Sequence, residues 1–344
     1  MLDKRRIGTL DSLRGIAALF VFWIHSTEYI VKADYSGRHS EAMDTIVHLF
    51  DVGRVGVVLF FLLSGYLIAQ SLHSDDWRTR FPIKRFFRIY PLFFASILVA
   101  WAASGFNVKA ETLLANLTML PSLFGQPELI QLYWTLETEV LFYLLIYGFK
   151  VSKQADRKQG FFWAVIFLTA LFSVSQLALA ESTLKEMPLL FKKLPQHLGI
   201  MLFGAHLSTR NKGTRLTAET IILLVVVLIP SSYTGIEYMK NRFDGDPPMM
   251  LSYATAILLF IVCLRFQPTS RITERIGTIS YSLYLSHLFV IMYCTPFLAG
   301  YNIAVSLGAM LAVTLLISEL GYRYIELPAI RLPKRLLRHA RSRT

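Results

Sequence analysis

Long apolar stretches recur along this chain, separated by short polar and charged connections. A helix needs about 20 apolar residues to cross a hydrocarbon core of about 30 Å. Ten segments are of plausible spanning length: 14–31, 55–73, 89–107, 133–149, 160–180, 194–209, 216–235, 248–264, 276–299 and 302–322. The fourth and sixth are the shortest or most polar. The stretch 110–132 carries Pro121, Gly125 and Pro127, and predicts a loop or half-inserted segment rather than a span. The pattern as a whole predicts an all-α fold, a polytopic membrane protein.

Charge orients these segments. Strict alternation from a cytoplasmic N-terminus leaves 26 of the 35 Lys and Arg residues on the cytoplasmic side. Cytoplasmic connections are enriched in Lys and Arg, so the split predicts about ten transmembrane helices with both termini cytoplasmic. Residues 1–330 form one transmembrane domain in this reading. Residues 331–344 are a basic cytoplasmic tail suited to orientation and contact with membrane lipids. Lys4, Arg5 and Arg6 precede the first apolar run as in a signal peptide. No small-x-small cleavage site follows, so that run reads as a retained span.

Composition narrows the class. The 344 residues are 54% hydrophobic and 17% charged, against about 25% charged in an average soluble chain. The net charge of +12 is spread between apolar spans, which argues for a membrane surface and against a nucleic-acid partner. Cys263 and Cys294 both lie inside apolar runs and imply no disulfide framework. No His-Glu-x-x-His or Cys-x-x-Cys spacing is present, so no metal site is expected, and there is no phosphate-binding glycine loop or Gly-x-Ser-x-Gly elbow.

Ionisable groups inside spans are costly and mark candidate sites. Arg14 and His25 share the first segment. Eleven residues at 100° each return to nearly the same helix face, with a rise of about 16 Å. Arg14 then sits at the cytoplasmic surface and His25 near the midplane, where an imidazole suits a general base or a transient nucleophile. His287 lies about as deep in the ninth segment. Arg85 and Arg88, spaced i,i+3, share a helical face before Tyr90-Pro91. Together with Arg14 they could clamp the phosphates of coenzyme A, or lipid headgroups. In Ser64-Gly65-Tyr66, the glycine allows either close helix contact or room for a ligand chain, and Ser64 and Tyr66 offer hydroxyls. Glu139 lies deeper than Glu137, which is shallow enough to be solvated. Glu326 follows the last span, where it could balance nearby arginines.

These motifs resemble, over essentially the whole chain, the acyltransferase-3 family of integral membrane acyltransferases in its stand-alone form. Arg14 and His25 match its Arg/Lys-x10-His spacing. Phe60 to Tyr66 resembles its Phe-Phe-x-Leu-Ser-Gly-Tyr segment, and Arg85 to Pro91 its Arg-x-x-Arg-x-x-Pro. Trp134-Thr135-Leu136 with Glu139, Ser280-Tyr281 to His287, and Glu326-Leu327-Pro328 match three further motifs. Many relatives carry a second acidic residue and a glutamine after the glutamate; here Val140 and Leu141 stand there, with Glu137 as the nearby acid.

The resemblance implies an O-acyltransferase, of the class moving groups other than aminoacyl groups. It would take an acyl group, usually acetyl, from cytoplasmic acyl-CoA as co-substrate to a hydroxyl of an envelope carbohydrate. That acceptor would be a lipopolysaccharide, an exopolysaccharide or another glycan, lipid-linked or not. It also implies residence in a bacterial cytoplasmic (inner) membrane. In this reading Arg14, Arg85, Arg88 and Ser64 bind the donor. His25 is the base or acyl carrier, Glu139 orients it or deprotonates the acceptor, and His287 and Tyr66 assist at the thioester or oxyanion. The alternative is a transporter or flippase for a glycan or anionic solute, since ten spans with midplane charges also fit that class.

Overall fold

The computed structural model describes residues 4–33, 51–72, 74, 76–157, 159–178, 189–210, 217–228, 249–298 and 300–333. Every regular element among them is helical. The helices are α1 (Lys4–Ala33), α2 (Val52–Ser71), α3 (Trp77–Ala103), α4 (Ala110–Leu117), α5 (Tyr133–Val151), α6 (Gly160–Ala178) and α7 (Leu189–Arg210). After them come α8 (Ala218–Leu228), α9 (Met249–Phe266), α10 (Arg271–Thr278), α11 (Ser280–Leu298) and α12 (Ile303–Gly321). Helical structure continues past α12 through a π-turn, Tyr322–Glu326.

A helix covers all or part of each of the ten apolar segments. Among the described residues, five helices are long and apolar enough to cross a membrane: Ile7–Ala33, Val52–Ser71, Trp77–Ala103, Ser280–Leu298 and Ile303–Pro333. Met250–Phe266 and Arg271–Thr278, bent by 119°, make a sixth if they form one broken span. The chain is therefore an integral membrane protein. Residues 229–235 of segment 216–235 and tail residues 334–344 lie outside the described residues.

Three boundaries differ from the sequence reading. α3 begins at Trp77, twelve residues before the predicted 89, and holds Pro82 and Pro91 inside it. A membrane helix can carry such prolines because neighbouring groups satisfy the freed carbonyls. Segment 276–299 is split: α10 is a separate amphipathic helix, ending just before Ile279. The stretch 110–132, expected as a loop or half-inserted segment, holds α4 and a 3-10 turn at Pro121–Phe124.

The described residues form two compact units. The first contains residues up to Phe60 and those from 249 to Pro328. In it α1 packs on α10, α11 and α12. A core of Ala18, Phe22, Ile30, Leu283, Ile291 and Met310 fixes α1 against α11 and α12. At the other end of α1 the contact is backbone to backbone. A Cβ on Gly277 would stand 1.8 Å from the Asp11 carbonyl oxygen, and one on Gly15 would stand 2.2 Å from that of Thr273. Only glycine permits this approach.

The second unit runs from Phe61 to 228 and includes 329–333. Here α6 packs on α7, and α7 on α5. Gly65 of α2 and Gly204 of α7 face each other's helix: added Cβ atoms would lie 1.7 Å from the Met201 carbonyl oxygen and 2.3 Å from that of Leu62. Of the two readings open for Gly65, close helix contact is therefore the one that holds. Gly65→Ala is expected to force the α2–α7 crossing apart and cost about 1–3 kcal/mol. Thermal unfolding of the purified protein in detergent, against wild type, measures it; an unchanged midpoint would refute the crossing.

Candidate active site

In the first unit, α1 runs unbroken from Lys4 to Ala33, so the helical stripe joining Arg14 to His25 is real. His25 meets His287 of α11, with Nδ1 of His25 3.0 Å from Nε2 of His287. The rings are inclined by only 12° and their centroids are 5.3 Å apart. That separation is the bond length plus two ring radii, so the rings meet edge to edge in a hydrogen bond rather than face to face.

The bond chain fixes which nitrogen does what. Nδ1 of His287 lies 3.1 Å from the Leu283 carbonyl oxygen. A carbonyl only accepts, so this nitrogen carries the proton. With both rings neutral, Nε2 of His287 is then an acceptor, and Nδ1 of His25 donates to it. Nε2 of His25 is left as an acceptor nitrogen, the form a general base or nucleophile requires. His287 is fully buried, whereas His25 is half-buried. Phe22, Leu283 and Ile291 lie one helical turn from the pair on their own helices and belong to the same core.

Arg14 is half-buried, and its guanidinium lies 3.4 Å from Asp11 Oδ1. Glu326, expected near arginines, is buried at the π-turn and accepts from Ser282 Oγ at 2.7 Å. Glu319 pairs with both Arg275 and Arg323. π-turns recur at functional positions.

The second unit holds Ser64, Tyr66, Arg85, Arg88 and Glu139. Ser64, expected to touch the donor, donates from Oγ to Glu139 Oε1 at 2.8 Å. The Tyr143 hydroxyl donates to the same oxygen at 2.7 Å. The Arg85 guanidinium lies 5.7 Å from the Tyr143 ring centre and 5.5 Å from that of Phe81. One face of α5 thus gathers a hydroxyl, a phenol and a carboxylate beside a guanidinium. Arg88 is half-buried, and Tyr66 is almost wholly buried. Arg14 belongs to the first unit and Arg85 and Arg88 to the second.

One glutamate departs from its expected setting. Glu137, expected to be solvated, is fully buried and accepts from Ser122 N at 3.1 Å and Ser122 Oγ at 2.8 Å. Glu139 is half-buried. Residues two apart on a helix point about 200° apart, and the 3-10 turn at Ser122 supplies the partners on the Glu137 side. Asn116 braces the same loop, bonding the Pro127 carbonyl and the Leu129 amide.

Two participants were missed in the sequence. Tyr143 stands four residues after Glu139, a spacing that puts it on the same face. His197 of α7 is buried, its ring 5.1 Å from Phe61 and 5.2 Å from Trp134. Among the described residues, no group of three or more His, Cys, Asp or Glu side chains gathers as a metal site would require.

Helices long and apolar enough to cross a membrane, several of them carrying buried polar groups, define an integral membrane protein. Comparison with known proteins names the class: the acyltransferase domain family matches residues 7–322, and the chain belongs to that family. It is 26% identical to the acyltransferase MdmB of Streptomyces mycarofaciens, over 95% of this chain and 92% of that one. It is 26% identical to a putative peptidoglycan O-acetyltransferase, YrhL of Bacillus subtilis, over 94% of this chain and 55% of that one. It is 24% identical to the peptidoglycan O-acetyltransferase OatA of Listeria monocytogenes, over 95% of this chain and 56% of that one. The chain thus spans about half the length of the two peptidoglycan enzymes and nearly all of MdmB. No solved structure matches it.

Proposed function

We propose that this protein transfers an acyl group, acetyl in the first instance, from acyl-CoA to a hydroxyl of an envelope carbohydrate. The observation that carries the reading is the His25–His287 bond within membrane-crossing helices, which leaves Nε2 of the half-buried ring as an acceptor. The names of YrhL and OatA support a glycan acceptor. In this mechanism Nε2 of His25 takes the proton of the acceptor hydroxyl. The oxygen then attacks the thioester carbonyl, the C–S bond breaks, and the departing thiolate takes the proton from the imidazolium. Arg14, on the same helix as His25, binds a donor phosphate, as a guanidinium suits. The proposed topology keeps ten spans with both termini cytoplasmic, in a cytoplasmic membrane, with the donor on the inner side.

The test is transfer itself. Purified protein receives acetyl-CoA labelled in its acetyl group, together with isolated envelope glycan. Label entering the glycan in step with release of free thiol is expected. If the wild-type protein consumes no thioester while moving glycan or solute across vesicle membranes, the enzyme reading falls and the transporter reading takes its place.

A further inference from the structure

A cavity of about 880 Å³ opens in the second unit between α5, α6 and α7, and none of its lining residues belongs to the Glu139 cluster. Its two ends differ in chemistry. One end is the turn joining α5 to α6, which contributes Gln154, Arg157 and Gln159. The walls are apolar. Trp163 and Phe167 form an i,i+4 stripe on α6, and Leu145 and Phe149 form one on α5.

The polar end is built rather than loose. A Cβ on Gly160 would lie 1.9 Å from the Gln154 carbonyl oxygen, so the turn folds tightly onto the start of α6. Lys150 pairs with Asp156 across that turn. Gln159 Nε2 donates to Glu219 Oε1 at 3.1 Å. The walls are open: Trp163 and Phe167 are 61% and 65% exposed.

Polarity therefore runs one way along α6, from the charged turn through Trp163 to Phe167. On a helix entering a membrane this is the order of headgroup, interface and acyl chain, with Trp at headgroup depth. Arginine matches a phosphate by charge and by its planar fork of donors. Apart from the Trp163 indole N–H, the wall side chains offer no hydrogen bonds to a peptide backbone, which argues against a protein segment here.

We propose that this groove binds an anionic glycerophospholipid, with the phosphate on Arg157 and an acyl chain along Trp163 and Phe167. The proposal does not depend on acyl transfer. Its test uses the purified full chain in mixed micelles with phosphatidylglycerol or phosphatidylcholine carrying brominated chains, which quench nearby tryptophan. The chain has five tryptophans, so the Trp163 signal is the difference between wild type and W163F. Brominated phosphatidylglycerol is expected to quench that signal at a roughly fivefold lower mole fraction than brominated phosphatidylcholine, the preference one basic side chain gives near a membrane surface. R157Q is expected to bring the two lipids level while both still quench. Equal quenching in the wild type, a preference that survives R157Q, or no quenching of Trp163 by either lipid would each overturn the proposal.

Discussion

His25→Ala is expected to lower acyl transfer by 10²- to 10⁴-fold, the range a positioned general base supplies, without loss of membrane insertion. A second substitution makes this a test of geometry as well as of identity. His287 touches His25 only through Nε2, which accepts from Nδ1 of His25 in the neutral pair. Glutamine at 287 offers a carbonyl oxygen at about the same reach, so His287→Gln is expected to keep most activity. His287→Ala removes the acceptor, frees the tautomer of His25, and is expected to lower kcat about 10- to 10²-fold with little change in donor KM. Steady-state rates on the three purified variants decide the matter. Wild-type turnover in His25→Ala would remove the ring from the reaction. Equal losses in His287→Gln and His287→Ala would mean that His287 supports packing rather than orientation.

The histidine pair was legible in the sequence because both of its coordinates were. Helical rise placed His25 and His287 at matching depth, and periodicity kept Arg14 on the stripe of His25. The α1 helix honours that periodicity without a break. What sequence could not carry was which face of each helix meets a neighbour. Glu137 and Glu139 lie on nearly opposite sides of α5, and nothing in their spacing says which side the Ser122 turn occupies. Gly65 was open between packing and ligand space until its partner Gly204, far along the chain, was seen against Leu62. Ser64 likewise pointed as well to a donor as to a carboxylate 75 residues away. Apolar content starts the third segment at 89, yet α3 begins twelve residues earlier, at Trp77, among charged residues and with Pro82 and Pro91 inside it. Arg85 and Arg88 consequently sit well inside a helix, and Arg85 lies beside the Tyr143 phenol. The ten segments were visible because apolar length is a local property. Partners were not, because they are set by packing.

Glu139 is where the second large loss is expected, and the losses around it should be ordered. Its Oε1 accepts from both Ser64 and Tyr143, while the Arg85 guanidinium stands beside the Tyr143 ring. Glu139→Gln keeps the shape and removes the carboxylate charge, and kcat is expected to fall about 10²-fold or more. Tyr143→Phe leaves the ring packed on Phe81 and Arg85 and deletes one hydrogen bond to the carboxylate. A hydrogen bond to a charged group contributes about 1.5–3 kcal/mol, so a roughly tenfold or greater loss in kcat is expected with the donor KM unchanged. Ser64→Ala removes the other bond to the same oxygen and should behave alike. The double variant Tyr143→Phe with Ser64→Ala is then expected to lose less than the product of the two single losses, because once the carboxylate is free to move the second bond has less to hold. Simple multiplication of the losses would show that the two hydroxyls act independently, and a raised donor KM in Tyr143→Phe would move this cluster from acceptor chemistry to donor binding.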